Sequence, residues 1–298
     1  VNNIWRHCEP EGRLGTGEKE LNLFDIVKAI ILGIVQGLTE FIPISSSAHL
    51  VIIPWLTGWE PSSFLFDTIL HWGTLLSILL VFWKDFLLII EATFHSLFTR
   101  SLQDVNARLG WFIVVGTIPA AVLGLLFEDY FETLFHSPTA SAGFLLVTAA
   151  LLIGSEQMVQ RLQQRRTLAQ ITWPDTLWIG LAQAFALAPG ISRSGSTIAT
   201  ALARGIRRED AARFSFFLGT PAFLGAGLLQ LVKTLAENSS QVSDQAGTLI
   251  VGFIVSTVVG YAAIRFLLAY LRTRTLYPFA FYCLIVGPLV MLLHQMWS

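Results

Sequence analysis

The chain has 298 residues, 54% hydrophobic and only 13% charged, with a mean hydropathy of +0.63 and a net charge of −1. Soluble domains carry about 25% charged residues, so these values exclude an ordinary soluble domain and imply an integral membrane protein. The near-neutral balance also lacks the basic footprint that a nucleic-acid partner requires.

Residues 1–22 are polar and Gly-rich, carry Arg6, Arg13 and Lys19 without periodicity, and read as a disordered tail. One membrane domain follows over 23–298. The apolar run from Leu23 is not expected to be a signal peptide, because Gln36 and Glu40 lie inside it and the polar tail before it is long. Six segments can each span a hydrocarbon core of about 30 Å: 64–83, 109–127, 138–160, 211–235, 247–271 and 278–297. Residues 85–98 are shorter and amphipathic, and are expected to lie along the interface. Trp55, Trp59, Trp72, Trp83 and Trp111 suit an interfacial belt, and Arg265 suits a snorkelling anchor. Cys8 lies in the tail and Cys283 in an apolar segment, so no disulfide between them is expected.

Basic loops stay in the cytoplasm. Lys84, Arg100 and Arg108 mark 84–108, and Arg161, Arg165 and Arg166 mark 161–175. Arg204, Arg207, Arg208 and Arg213 mark 204–213, and Arg272 and Arg274 mark 272–277. By contrast, 128–138 and 236–246 contain no Lys or Arg and read as external. Parity then forces 176–203 to enter and leave on the cytoplasmic side, as a re-entrant hairpin.

The stretch 36–49, QGLTEFIPISSSAH, overlays 183–197, QAFALAPGISRSGST, at an offset of 147. Gly33 falls on Gly180, Gln36 on Gln183, Ser45 on Ser192 and Ser47 on Ser194, while Ser46 falls on Arg193. Paired interruptions in two halves of a membrane chain point to inverted repeats around a central site. The expected fold is therefore all-α, with repeat one over 23–160 and repeat two over 176–298. Each repeat is a re-entrant helical hairpin plus three transmembrane helices, with both termini outside.

Within the first interruption, Glu40 sits one helical turn after Gln36. A carboxylate at membrane depth costs about 2.5–3.5 kcal/mol on insertion scales, which marks it as functional. Ser45 and Ser46 stand four and three residues before His49, so a helical turn is expected to bring the imidazole beside their hydroxyls. One N-capping Ser alone would not explain His49. In the second interruption, Pro189 and Gly190 break the chain ahead of a new helix. Its N-terminus and the Arg193 fork suit phosphate oxygens, with Ser192, Ser194 and Thr197 as added donors. Asp67 and His71 form an i, i+4 pair that fits a buried hydrogen bond or a pocket wall equally well.

These residues resemble a known family, the bacterial undecaprenyl-diphosphatases, also called bacitracin-resistance proteins. The resemblance rests on an acidic or Gln residue spaced before Glu (Gln36, Glu40), a Ser-rich turn ending in His (SSSAH, 45–49) and PGxSRSxxT (PGISRSGST, 189–197). It covers about 23–298. It implies hydrolysis of undecaprenyl diphosphate to undecaprenyl phosphate and inorganic phosphate, recycling the lipid carrier of cell-wall synthesis. It also implies a magnesium or calcium ion, and a bacterial inner-membrane protein whose site faces the periplasm. The partners are a polyprenyl diphosphate lipid and the bilayer, with a homodimer left open.

In that setting Arg193, Gly190, Ser192, Ser194 and Thr197 are expected to hold phosphate. Ser46 attacks phosphorus with His49 or Glu40 as base, and Glu40 with Gln36 holds the cation. Ser45, Asp67 and His71 are expected in the pocket wall. Attack by His49 or by water remains open at this stage. The competing reading is a lipid-phosphate transporter or flippase, since paired broken hairpins also build transporters.

Overall fold

The structure, a computed structural model, describes residues 22–127, 130, 134, 137–161, 165–237 and 245–297. The expected disordered tail, but for Asn22, lies outside the described residues, as do most of the two loops read as external.

Among the described residues ten α-helices are defined. They are α1 (Leu23–Thr39), α2 (Ser46–Thr57), α3 (Phe64–Thr99), α4 (Val105–Leu126), α5 (Pro138–Arg161), α6 (Trp173–Phe185), α7 (Arg193–Ala203), α8 (Arg208–Glu237), α9 (Ala246–Leu271) and α10 (Tyr277–Trp297). Among the described residues there is no β-strand beyond one isolated bridge between Arg166 and Ile206. Six helices, α3, α4, α5, α8, α9 and α10, are long and apolar enough to cross a membrane. They contain the six expected spans but for Phe127, the C-cap of α4, and the protein is an all-α, multi-pass membrane protein.

The other four helices are too short for that. At 1.5 Å per residue, α1, α2, α6 and α7 reach about 26, 18, 20 and 17 Å, against a core of about 30 Å. They form two consecutive pairs, and each pair is joined through one of the Pro- and Gly-broken stretches. Asn22 caps α1, accepting from the Phe24 amide at 3.2 Å. Ser45 and Ser192, equivalent in the sequence overlay, are the N-caps of α2 and α7.

Segment 85–98, expected along the interface, forms the second part of α3, which is two helical stretches joined across a kink at Phe82 (φ −114°, ψ 22°). The kink divides an element of about 54 Å, longer than any hydrocarbon core. Asp85, just past the kink, pairs with Arg213 of α8 at 2.7 Å.

The two halves interlock. Helix α1 packs on α9 of the second half, and α6 packs on α4 of the first. The matched glycines make both approaches possible. A Cβ on Gly33 would lie 3.0 Å from Val255 Cβ, and one on Gly180 would lie 2.4 Å from the Gly116 carbonyl oxygen. Phe41, Ile78, Phe82, Phe216 and Phe217 belong to the largest buried apolar cluster. Phe41, next in the chain to Glu40, meets Phe216 edge-on at 5.2 Å.

The loop arginines that orient the chain are largely paired. Asp175, buried in the first turn of α6, receives Arg166 at 2.7 and 3.0 Å and Arg204 at 2.8 Å, and it caps Thr172. Glu156 of α5 holds Arg208 and accepts from the Leu276 amide at 2.9 Å. Asp175 thus ties α6 to the end of α7, and Glu156 ties α5 to the start of α8.

Candidate active site

Both chain breaks end in a capped helix, and each cap is built differently. Gly190 has φ 101°, and a Cβ there would lie 2.3 Å from the Ser141 carbonyl oxygen, so only glycine fits without strain. Thr148 of α5 fixes this break by donating to the Gly190 carbonyl at 3.0 Å and accepting from the Ser192 amide at 2.9 Å. The first break uses no glycine. Ser45 itself takes φ 71°, ψ 100°, a conformation that costs a non-glycine residue roughly 1–3 kcal/mol. The breaks touch: the Gly190 amide donates to Ser47 Oγ at 3.3 Å, and Ser47 Oγ lies 3.1 Å from Ser45 Oγ.

Glu40 is the hub. Its Oε2 accepts from Ser46 Oγ at 2.6 Å and from Gln36 Nε2 at 3.1 Å, and its Oε1 accepts from Arg193 Nη2 at 2.8 Å. His71 Nε2 stands 3.6 Å from Oε2. Glu40, Gln36, Ser46 and His49 are all buried. A carboxylate at 2.6 Å from a serine hydroxyl is positioned to take its proton, because hydrogen-bond reach is the first requirement of a general base.

Arg193 opens α7, the position equivalent to Ser46 in α2. Its Nη1 donates to the Ser215 carbonyl at 2.9 Å, and its guanidinium carbon lies 4.5 Å from the centre of the Phe223 ring. These contacts, with Glu40, hold the fork on three sides. Its Nε is buried without a partner. A buried donor left unpaired costs free energy, and a phosphate oxygen would satisfy it. Of the other residues expected to bind phosphate, Ser192 Oγ lies 3.2 Å from Ser194 Oγ and accepts from the Gly195 amide at 3.0 Å. Thr197 donates to the Arg193 carbonyl at 2.8 Å and lies 2.6 Å from Ser215 Oγ. These hydroxyls brace the turn that carries Arg193.

His49 departs from expectation. Its ring does not bond the Ser45 or Ser46 hydroxyl: Nδ1 lies 2.7 Å from the Ser45 carbonyl oxygen and Nε2 lies 2.7 Å from the Tyr282 hydroxyl. The first turn of α2 puts the Ser45 carbonyl, four residues back, nearer to Nδ1, while the Ser46 hydroxyl turns to Glu40. Asp67 and His71 both serve local bonds. Ser62 donates to Asp67 Oδ1 at 2.6 Å, and His71 Nδ1 bonds the Asp67 carbonyl at 2.7 Å. Only His71 of this pair reaches the hub.

Sequence reasoning missed Thr148, Ser215, Phe223 and Tyr282. All four sit on long helices with ordinary apolar neighbours and carry no motif. Phe223 lies under both Arg193 and His71, whose ring centre is 5.6 Å away.

For a cation, the protein offers few groups. Among the described residues, no three His, Cys, Asp or Glu side chains cluster as a metal site. Gln36 Oε1 is nonetheless buried and unpartnered. Its amide cannot be turned around, because Nε2 must face the Glu40 carboxylate. One free amide oxygen beside one carboxylate fits an ion held chiefly by phosphate oxygens and water, the usual habit of magnesium.

Fold and site together define a multi-pass helical membrane protein with a serine–carboxylate–arginine centre buried where two pairs of short helices meet. Residues 29–289 match the family described as Bacitracin resistance protein BacA, and the chain belongs to that family. It is 44% identical over 277 residues to the undecaprenyl-diphosphatase of Chloroherpeton thalassium, covering 91% of this chain and 98% of that one. The undecaprenyl-diphosphatase of Methanosphaera stadtmanae is 43% identical over 286 residues, covering 91% and 99%. That of Myxococcus xanthus is 42% identical over 271 residues, covering 91% and 89%.

Proposed function

We propose that this protein hydrolyses undecaprenyl diphosphate to undecaprenyl phosphate and inorganic phosphate. That reaction recycles the lipid carrier for cell-wall synthesis and gives bacitracin resistance. The family and the names of its relatives support the reaction, and one observation carries the chemistry: the 2.6 Å bond from Ser46 to Glu40, with Arg193 on the other carboxylate oxygen.

Ser46 Oγ attacks the terminal phosphorus and passes its proton to Glu40 Oε2. The bond from that phosphorus to the bridging oxygen breaks, and undecaprenyl phosphate leaves. Water then attacks the phosphoserine. The Ser46 Oγ–phosphorus bond breaks, the proton on Glu40 returns to Oγ, and both water protons depart on inorganic phosphate. Arg193, with its unpartnered Nε and the start of α7, holds the transferring group and stabilises its developing charge. Gln36 Oε1 and Glu40 would hold a magnesium or calcium ion, which when bound supplies charge neutralisation for the diphosphate.

The short paired helices and the basic-loop pattern support two re-entrant hairpins in inverted repeats, with the site opening to the periplasmic side of a bacterial inner membrane. Transport alone has no use for a serine hydroxyl committed to a carboxylate, so the hydrolase is the better reading. The test is phosphate release from undecaprenyl diphosphate by purified protein in detergent. Release no faster than by a Glu40→Gln control would sink it.

A further inference from the structure

The tightest strain at the site lies one residue before the proposed nucleophile. Ser45 has φ 71° and is not glycine, and it is the N-cap from which α2 and Ser46 start. Strain of this kind persists only where surrounding contacts over-determine it. Four contacts do so. The Ser45 hydroxyl accepts from the Ala48 amide at a long 3.4 Å and lies 3.1 Å from Ser47 Oγ. The Ser45 carbonyl accepts from the His49 amide at 3.4 Å and lies 2.7 Å from His49 Nδ1.

A carbonyl oxygen can only accept, so Nδ1 carries a proton. In the neutral ring Nε2 is then the acceptor, and the group beside it at 2.7 Å is the Tyr282 hydroxyl. The two rings are also stacked, 5.7 Å apart and 19° from parallel. Tyr282 belongs to α10, which packs on α5, the helix that α2 also packs on. Ala48 and Ile52 share a buried cluster with Cys283 and Val290, and Trp55 packs on His294 and Trp297.

We infer that Tyr282 is a positioning residue, acting through His49 to clamp the strained Ser45 peptide and so present the Ser46 hydroxyl to Glu40. This rests on Ser46 being the attacking group. It gives His49 a role that needs no proton transfer: both ring nitrogens are committed, and the Ser46 proton already has an acceptor. It also makes α10 part of the site, holding the start of α2 through the Tyr282–His49 contact.

The experiment uses three variants of the full chain in detergent: Tyr282→Phe, His49→Asn and His49→Ala. Tyr282→Phe keeps the ring and removes the hydroxyl. We expect kcat to fall about tenfold with KM within about twofold, the scale of a small displacement of a reacting group. In the His49→Ala background the same change should cost less than about twofold, because residues acting as one unit are non-additive. Asn places an amide nitrogen where Nδ1 stood and can donate to the Ser45 carbonyl, yet it cannot take a proton. His49→Asn should therefore retain about tenfold more kcat than His49→Ala, since only the latter loses the positioning bond. An Asn variant as inactive as the Ala variant makes His49 the base and overturns the clamp. Equal losses from Tyr282→Phe in both backgrounds overturn it too.

Hydrogen exchange over residues 42–50 gives a readout independent of turnover. Tyr282→Phe and His49→Ala should both speed exchange there. Unchanged exchange in folded variants refutes the clamp. Wild-type protein that releases no phosphate refutes the hydrolase reading instead.

Discussion

Glu40 and Arg193 meet at 2.8 Å although 153 positions separate them in the chain. That bond joins the first chain break to the second and places the proton acceptor beside the anion-holding group. Glu40→Gln keeps the shape but loses the charge. It should lower kcat by at least about 100-fold, as loss of a general base does. It should also destabilise the protein by about 3–5 kcal/mol through the unpaired buried guanidinium. Phosphate release and thermal unfolding measure the two effects. Turnover near wild type would remove Glu40 from the mechanism.

Arg193→Lys keeps the charge and loses the fork that reaches Glu40 and Ser215 while leaving Nε free. The expected loss in kcat/KM is at least tenfold, or about 1.4 kcal/mol, in a protein that still folds and inserts. Steady-state kinetics on the purified variant decide it. Unchanged kinetics would leave Arg193 a structural tie between the hairpins.

Asp175 ties the start of α6 to Arg166 and to Arg204 at the end of α7. Burial opposes the charged form of this carboxyl, but hydrogen bonds from Arg166, Thr172 and Arg204 outweigh it and hold the group well below the usual carboxylate range. Since the folded value is depressed, its stabilisation is complete above the unfolded value of about 3.9 and is lost as pH falls through the folded one. Asp175→Asn should thus cost about 2 kcal/mol at pH 7, a buried pair discounted for two half-exposed arginines. The variant's stability should vary less than wild type below about pH 4. Melting temperatures across that range test both claims, and equal values at pH 7 would refute the first.

Topology is open to a direct check. A reporter fused after Ser298 should register outside the cytoplasm, and one inserted near Gln164 should register inside. A cytoplasmic C-terminus would break the inverted-repeat arrangement while leaving the geometry around Glu40 intact.

Composition and local pattern alone determined a great deal. Six apolar stretches had to become spanning helices, because an apolar run of that length has no other stable home. Pro43, Pro189 and Gly190 marked the two stretches that break, although Pro119, Pro221 and Pro288 sit inside spanning helices. The offset of 147 between the halves matched Ser45 with Ser192 and Gly33 with Gly180, and the structure makes the first pair N-caps and the second close-approach residues. What only the tertiary structure decided is which groups face one another. Sequence spacing relates residues within one helix, so His49 was read against Ser46, three positions away. Its real partners were a backbone carbonyl and Tyr282, 233 positions distant. The choice between Glu40 and His49 as partner of Ser46 depended on the angle between α1 and α2 across the break, which no periodicity encodes. Phe223 and Ser215 were likewise invisible, because an ordinary residue on an apolar helix gains its role only from what packs against it.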